Sequence, residues 1–182
     1  SDTLANHLSG KAAFFGVPVA ALLAGPLRRG GTWLYGPISR CTDRLRLYTA
    51  FLDVPEPMVL HMFWRSPQLL ELSAEACFRK VRTVAEQFNV SVADLRAAIL
   101  RQPQIFYQHP MKVAAAVTAS AEQLGVPRDE FIRACLNSPM LMFSRPATLA
   151  AKRPLVENIV AGLGLAGGVS YALRAHPIIF MY

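Results

Sequence analysis

The 182-residue chain is short of acidic side chains: 12 Asp and Glu stand against 19 Lys and Arg, a formal charge of +7. That balance favours a polyanionic partner, either nucleic acid or an acidic membrane surface. Lysine is scarcer still. Of the basic residues 15 are Arg and 4 are Lys, a bias that suits bidentate phosphate and guanine contacts and that a GC-rich genome also produces. Cysteine is rare as well. Cys41, Cys77 and Cys135 are an odd number, far apart and without a CxxC, which excludes a disulfide scaffold and points to a reducing, intracellular compartment. Charged residues make up only 17% of the chain and hydrophobic ones 53%, so disorder is excluded. No apolar run reaches the ~20 residues that a bilayer span needs. The stretch Ala12–Leu27 imitates a signal-peptide core, but Gly16, Pro18, Gly25 and Pro26 interrupt it.

What the sequence does contain is a repeat. The segments RSPQLLELS (65–73), RQPQIFYQH (101–109), NSPMLMFSR (137–145) and AHPIIFMY (175–182) share a proline followed by apolar residues. The prolines stand at 67, 103, 139 and 177, giving steps of 36, 36 and 38. Thirteen residues before the first three lies a valine: Val54, Val90 and Val126. Val17 opens the same phrase earlier, with Gly30 at the position of its anchor. A further echo, seven residues past the anchor, is Pro37, Ala74, Pro110 and Pro146. The chain therefore reads as one domain, 1–182, of about four and a half repeats.

Each unit reads as two helices. The first starts near Pro110 or Pro146, where proline suits the first helical turn, and closes at Asn89, Gly125 or Gly164. The second starts at Ser91, with Asp94 completing a capping-box pattern, and ends ahead of the anchor proline. The Pro-x-aliphatic piece is expected to be a tight 3₁₀ turn. No stretch alternates with a strand-like period of two, so the expected fold is an all-α superhelical solenoid. In the last copy Pro154 should kink the first helix. The chain then stops on the apolar strip Pro177–Tyr182, an expected docking point for a protein partner or a second copy.

The phrase Pro-x-Leu-Leu-x-x-Ser, a helix, Leu-Gly-Val, a helix, then Pro again resembles the mitochondrial transcription termination factor (mTERF) family. The nearest stretch is PQIFYQHPMKVAAAVTASAEQLGVPRDEFIRACLNSPMLMFSRP, 103–146, and the pattern extends over roughly residues 12 to 182. The resemblance implies stacked helical repeats whose positive inner surface binds DNA or RNA. It also implies a non-catalytic role in organellar gene expression: transcription termination or regulation, ribosome assembly or RNA processing. The location it implies is a mitochondrion or chloroplast, with a bacterial cytoplasm as the alternative. Two departures are Gly30 in place of the first anchor proline and an array shorter than most members have.

Three sets of basic residues are candidates for contacting double-stranded DNA or RNA. Arg28, Arg65 and Arg101 each lie two places before an anchor, a ladder that Asn137 and Ala175 then break. A periodic phosphate backbone can follow such a ladder, and an Arg at a helix C-terminus also complements the helix dipole. The first helices carry Arg79, Lys80, Arg82, Lys112, Lys152 and Arg153, which a solvated outer face would also explain. The second helices carry Arg96 and Arg133. The aromatics Trp33, Tyr35, Trp64, Phe106, Tyr107 and Phe143 cluster near the anchors and read as core packing before base stacking.

Other chemistry finds little support. Gly162-Leu-Gly164-Leu-Ala-Gly167 matches GxGxxG, but a dinucleotide site needs a strand before it, and Gly164 already serves the repeat. His7, His61, His109 and His176 have no ligand spacing among themselves or with cysteine. Neither a metal, a cofactor nor a catalytic constellation is expected. The competing reading is a protein-interaction scaffold or ribosome-assembly component using the apolar C-terminal end and the grooves between repeats.

Overall fold

The computed structural model describes residues 4–25 and 32–181. Arg28, the first anchor position Gly30 and Tyr182 lie outside them. Among the described residues every regular element is helical. The α-helices are α1 (Leu4–Phe15), α2 (Val19–Ala24), α3 (Ile38–Leu52), α4 (Glu56–Arg65), α5 (Ala74–Phe88), α6 (Val92–Arg101), α7 (Pro110–Leu124), α8 (Arg128–Asn137), α9 (Pro146–Gly162) and α10 (Gly168–Ala175). The expected 3₁₀ turns are present at Pro67–Leu70, Pro103–Phe106, Pro139–Phe143 and Pro177–Met181, and a further one spans Thr32–Tyr35.

Local chemistry accounts for these boundaries. Ser66, Gln102, Ser138 and His176 precede the anchor prolines, and their φ values of −140°, −134°, −131° and −142° lie outside the helical range. The proline ring clashes with a helical residue before it, so each second helix stops there. The next apolar residues then turn inward: Leu69 and Leu70, Ile105 and Phe106, Leu141 and Met142, and Phe180 are all buried.

The first helices end on a left-handed residue. Gly16, Asp53, Asn89, Gly125 and Gly164 have φ of 65°, 52°, 55°, 68° and 68°. In each case the following N–H reaches five residues back: Val17 to Ala12, Val54 to Thr49, Val90 to Ala85, Val126 to Ala121 and Leu165 to Val160, at 3.0–3.4 Å. This is the six-to-one bond of a Schellman cap, which favours an apolar residue after the left-handed one. The recurring valine is therefore the apolar lid of a helix terminus. The capping box of α6 also forms, with the Ser91 N–H donating to Asp94 Oδ2 at 2.8 Å and the Asp94 N–H to Ser91 Oγ at 3.1 Å. Helix α9 continues through Pro154.

The chain divides into two compact units, residues 1–79 and 80–182. In the first, α1 packs on α2 and α3, and α3 on α4. Its centre is aromatic. Tyr48 is fully buried, edge-on to Phe63 and Phe78 with ring centroids 5.2 and 4.9 Å away, and Phe51 stacks on Phe78 at 4.1 Å. Burial, with the Cys77 thiol as neighbour, pushes the Tyr48 hydroxyl far above its ordinary range. The Ala12–Leu27 stretch does not form one continuous helix, because α1 ends at Phe15 and α2 begins at Val19. No helix among the described residues is long and apolar enough to cross a membrane.

In the second unit α7 packs on α8 and α9, α8 lies against α6 and α10, and α10 returns onto α9. First helices thus meet first helices and second helices meet second helices. Leu95, Ile99, Phe106, Val117, Leu124, Phe131, Cys135, Leu149 and Leu173 are core residues. Each aliphatic or aromatic side chain among them contributes about 1.5–3 kcal/mol by leaving water. Burial pushes the Cys135 thiol well above its ordinary range, leaving it a small apolar filler.

Candidate nucleic-acid interface

The candidate cations fall into two groups once their partners are known. One group is tied to the main chain of the protein itself. The Lys80 ammonium, half-buried, donates to the Tyr107 carbonyl at 3.0 Å, and that of Lys152 to the Phe180 carbonyl at 2.9 Å. These lysines share a register, six residues into α5 and α9, and each holds the 3₁₀ turn of the following anchor. Arg153 bonds Glu157 at 2.8 Å and reaches the Gln123 carbonyl at the end of α7. Arg128, absent from the sequence-based candidates, does the same for α5, donating from Nη2 to the Gln87 carbonyl at 2.7 Å and from Nε to Thr118. Gln87 and Gln123 hold equivalent positions, so two different arginines satisfy the same exposed carbonyl of successive first helices, as orphan C-terminal carbonyls require.

The second group keeps donors for solvent. Arg101, exposed at the end of α6, bonds the Ala97 carbonyl through Nε and the Leu136 carbonyl through Nη2 at 2.9 Å. Two of its five N–H donors are committed and three remain. Arg133, in the middle of α8, pairs with Asp129 at 2.6 Å with both side chains about seven-tenths exposed, a pairing worth little in water. Arg174, in the last turn of α10, lies 3.6 Å from Glu130 and is itself exposed. The three helices are neighbours in the order α6, α8, α10, and each carries one exposed arginine.

Arg174 escaped sequence reasoning because it lies one place ahead of the Arg101 register. Its position in the last turn of a second helix is the signal that could have found it. Acidic residues stand in the first turns, Asp94 in α6 and Asp129 and Glu130 in α8, and the last two are the partners of Arg133 and Arg174. Hydrogen bonds from the Ser91 side chain and backbone hold the Asp94 carboxyl below its ordinary range.

The remaining candidates do not belong to this set. Arg82 lines an open cavity of about 450 Å³ with Glu86 and Asp94, an acidic setting unsuited to phosphate. Lys112 is exposed at the start of α7. Arg79 is exposed on α5, and Arg65, in the first unit, is exposed at the end of α4. Arg96 is half-buried on α6.

Of the aromatics, Trp33 and Phe106 are buried, Trp64, Tyr107 and Phe143 half-buried, and Tyr35 exposed. The segment Val156–Val160 ahead of the GxGxxG match lies within α9 and is not a strand. Among the described residues no group of His, Cys, Asp and Glu could hold a metal ion. The three cysteines are free and buried. At the C-terminal strip Phe180 is buried, Pro177 and Ile179 are half-buried, and Ile178 is exposed. In comparisons with known proteins, no family model, no curated protein and no solved structure matches the chain.

Proposed function

We propose that this chain is a non-catalytic nucleic-acid-binding protein of the mTERF type, its helix pairs stacking as a superhelical solenoid and its arginines gripping a phosphate backbone. The observation that carries this reading is that Arg101, Arg133 and Arg174 put one exposed guanidinium on each of three adjacent second helices. Packed helices are spaced by about 8–10 Å, and a nucleic-acid strand advances about 3.4 Å per nucleotide. One arginine per helix therefore matches one contact per two or three nucleotides. Asp129 and Glu130 lie beside Arg133 and Arg174, so a phosphate competes with them for these two guanidinia. Double-stranded DNA or RNA is the proposed partner, and a mitochondrion or chloroplast the proposed location.

The test is a salt titration of binding to duplex DNA, duplex RNA and single-stranded RNA. A steep negative slope of log K against log salt is expected, reduced by about three when Arg101, Arg133 and Arg174 are all changed to Gln. Absence of binding to all three probes at low salt, or an unchanged slope in the triple variant, overturns the reading.

A second reading, a protein-interaction scaffold, draws on the outer side of α9. Leu155 and Ile159 are exposed there, and Leu163 just beyond it, where α5 and α7 carry Thr83 and Gln87, and Ala119 and Gln123. A second copy of the chain is the simplest occupant of such a stripe. Sedimentation of the wild type against a Leu155→Glu, Ile159→Glu variant tests it, and a wild type that stays monomeric at high protein concentration excludes it.

A further inference from the structure

The first unit contains a lysine that no nucleic acid reaches. Lys11, in α1, is 0% exposed. Its ammonium donates to the Gly36 carbonyl and to the sulfur of Cys41 in α3, both at 2.9 Å, and stands 6.0 Å from the centre of the Trp33 ring. Burying a cationic side chain completely is costly unless it is fully bonded, and a thiol is a weak acceptor for that purpose. Beside the pair lies a cavity of about 210 Å³ lined by Lys11, Trp33, Arg40, Cys41 and Glu71. Arg40 and Glu71 are exposed residues, so the cavity opens toward solvent. The cavity exceeds the roughly 30 Å³ of a water molecule several-fold, which leaves room for the larger hydrogen peroxide.

We propose that Lys11 and Cys41 form a peroxide-driven covalent redox link, a sulfenamide between Nζ and Sγ that ties α1 to α3. Hydrogen peroxide is the oxidant. In the first step the Cys41 thiol attacks peroxide: the O–O bond breaks, an S–O bond forms, and the products are the sulfenic acid and one water. Sulfur gives up two electrons and the peroxide oxygens accept them. In the second step the Lys11 ammonium gives one proton to solvent, and its nitrogen attacks that sulfur. The N–S bond forms, the S–O bond breaks, and the departing hydroxide takes the nitrogen proton and leaves as a second water. One thiol, one amine and one peroxide thus become one sulfenamide and two waters. The Glu71 carboxylate, which accepts the Trp33 backbone N–H, lines the same cavity. A thiol reductant reverses the link by the ordinary exchange at sulfur.

The experiment uses the wild-type chain, treated with hydrogen peroxide, denatured, alkylated and digested with trypsin. The expected result has four parts: an intact mass, read before alkylation, about 2 Da below the reduced protein, loss of cleavage after Lys11, a peptide pair joined through Lys11 and Cys41, and reversal by dithiothreitol. Cys77 and Cys135 remain alkylated and serve as internal references. Cys41 found as a sulfinic acid with Lys11 still cleaved, or Cys41 unmodified under the same treatment, overturns the proposal. A linked pair heavier by about 14 Da, with an oxygen between nitrogen and sulfur, overturns the direct bond. Lys11→Arg keeps a cation but removes the reacting amine, and it should abolish the link. If that variant does not fold, the wild-type peptide map decides alone.

Discussion

The guanidinium of Arg101 donates from Nη2 to the carbonyl oxygen of Leu136 at 2.9 Å while its Nε holds the Ala97 carbonyl one turn back in its own helix. One side chain thus bonds carbonyls in the last turns of α6 and α8 and keeps three further donors. The dipole-complementing and phosphate-gripping roles of a C-terminal arginine are therefore compatible in a single residue.

Replacing Arg101 by Ala should cost about 1 kcal/mol, because water takes over the two exposed carbonyls. Lysine at the same place has one compact ammonium and cannot span both, so Arg101→Lys should recover less than half of the loss. Urea denaturation of the two variants measures the difference.

Lys80 and Lys152 behave differently from solvated cations. Changing either to Met strands a part-buried carbonyl, of Tyr107 or Phe180, and should destabilise the protein by about 1–3 kcal/mol. The two sites share no partner, so the double variant should lose the sum. Neither change should alter the salt slope of nucleic-acid binding. A slope that falls by one unit for either variant would place that lysine on phosphate instead.

Gly125 sits at φ +68°, and a Cβ there would meet Arg153 Nη1 at 3.0 Å. Gly125→Ala should therefore cost about 1–2 kcal/mol in backbone conformation. Asn89→Gly at the equivalent cap should be neutral or slightly stabilising. Thermal unfolding of the pair checks the contrast.

The α6 capping box makes stability depend on pH in a stated direction. Ser91 lowers the Asp94 carboxyl in the folded state. Its contribution is thus full above the unfolded value of about 4 and is lost as pH falls through the lower folded value. Ser91→Ala should lower the thermal midpoint by about 2–4 °C at neutral pH and by clearly less in strong acid. An equal drop at both would show that the carboxylate adds nothing.

Much of the local structure was legible because its causes are local. The anchor prolines ended the second helices, Asn89, Gly125 and Gly164 closed the first ones, and Ser91 with Asp94 opened α6. Gly16 and Asp53 cap their helices in the same way, and the valine after each was the available clue. The roles of the cations were not legible. Lys80 and Lys112 look alike in a sequence, yet one holds a carbonyl 27 residues away and the other is exposed at a helix start.

By itself the sequence determined an all-helical chain with a 36-residue beat, because helix ends and turns follow from backbone chemistry within a few residues. Only the tertiary structure decided which positive charges serve the protein's own main chain and which face water. It placed Lys80, Lys152 and Arg153 on carbonyls, sealed Lys11 against a thiol, and left Arg101, Arg133 and Arg174 exposed on three neighbouring helices. The excess of +7 thus sorts into structural and outward-facing charge. The physical reason is that a side chain's partner is set by packing across distant segments, and no short-range rule contains that information.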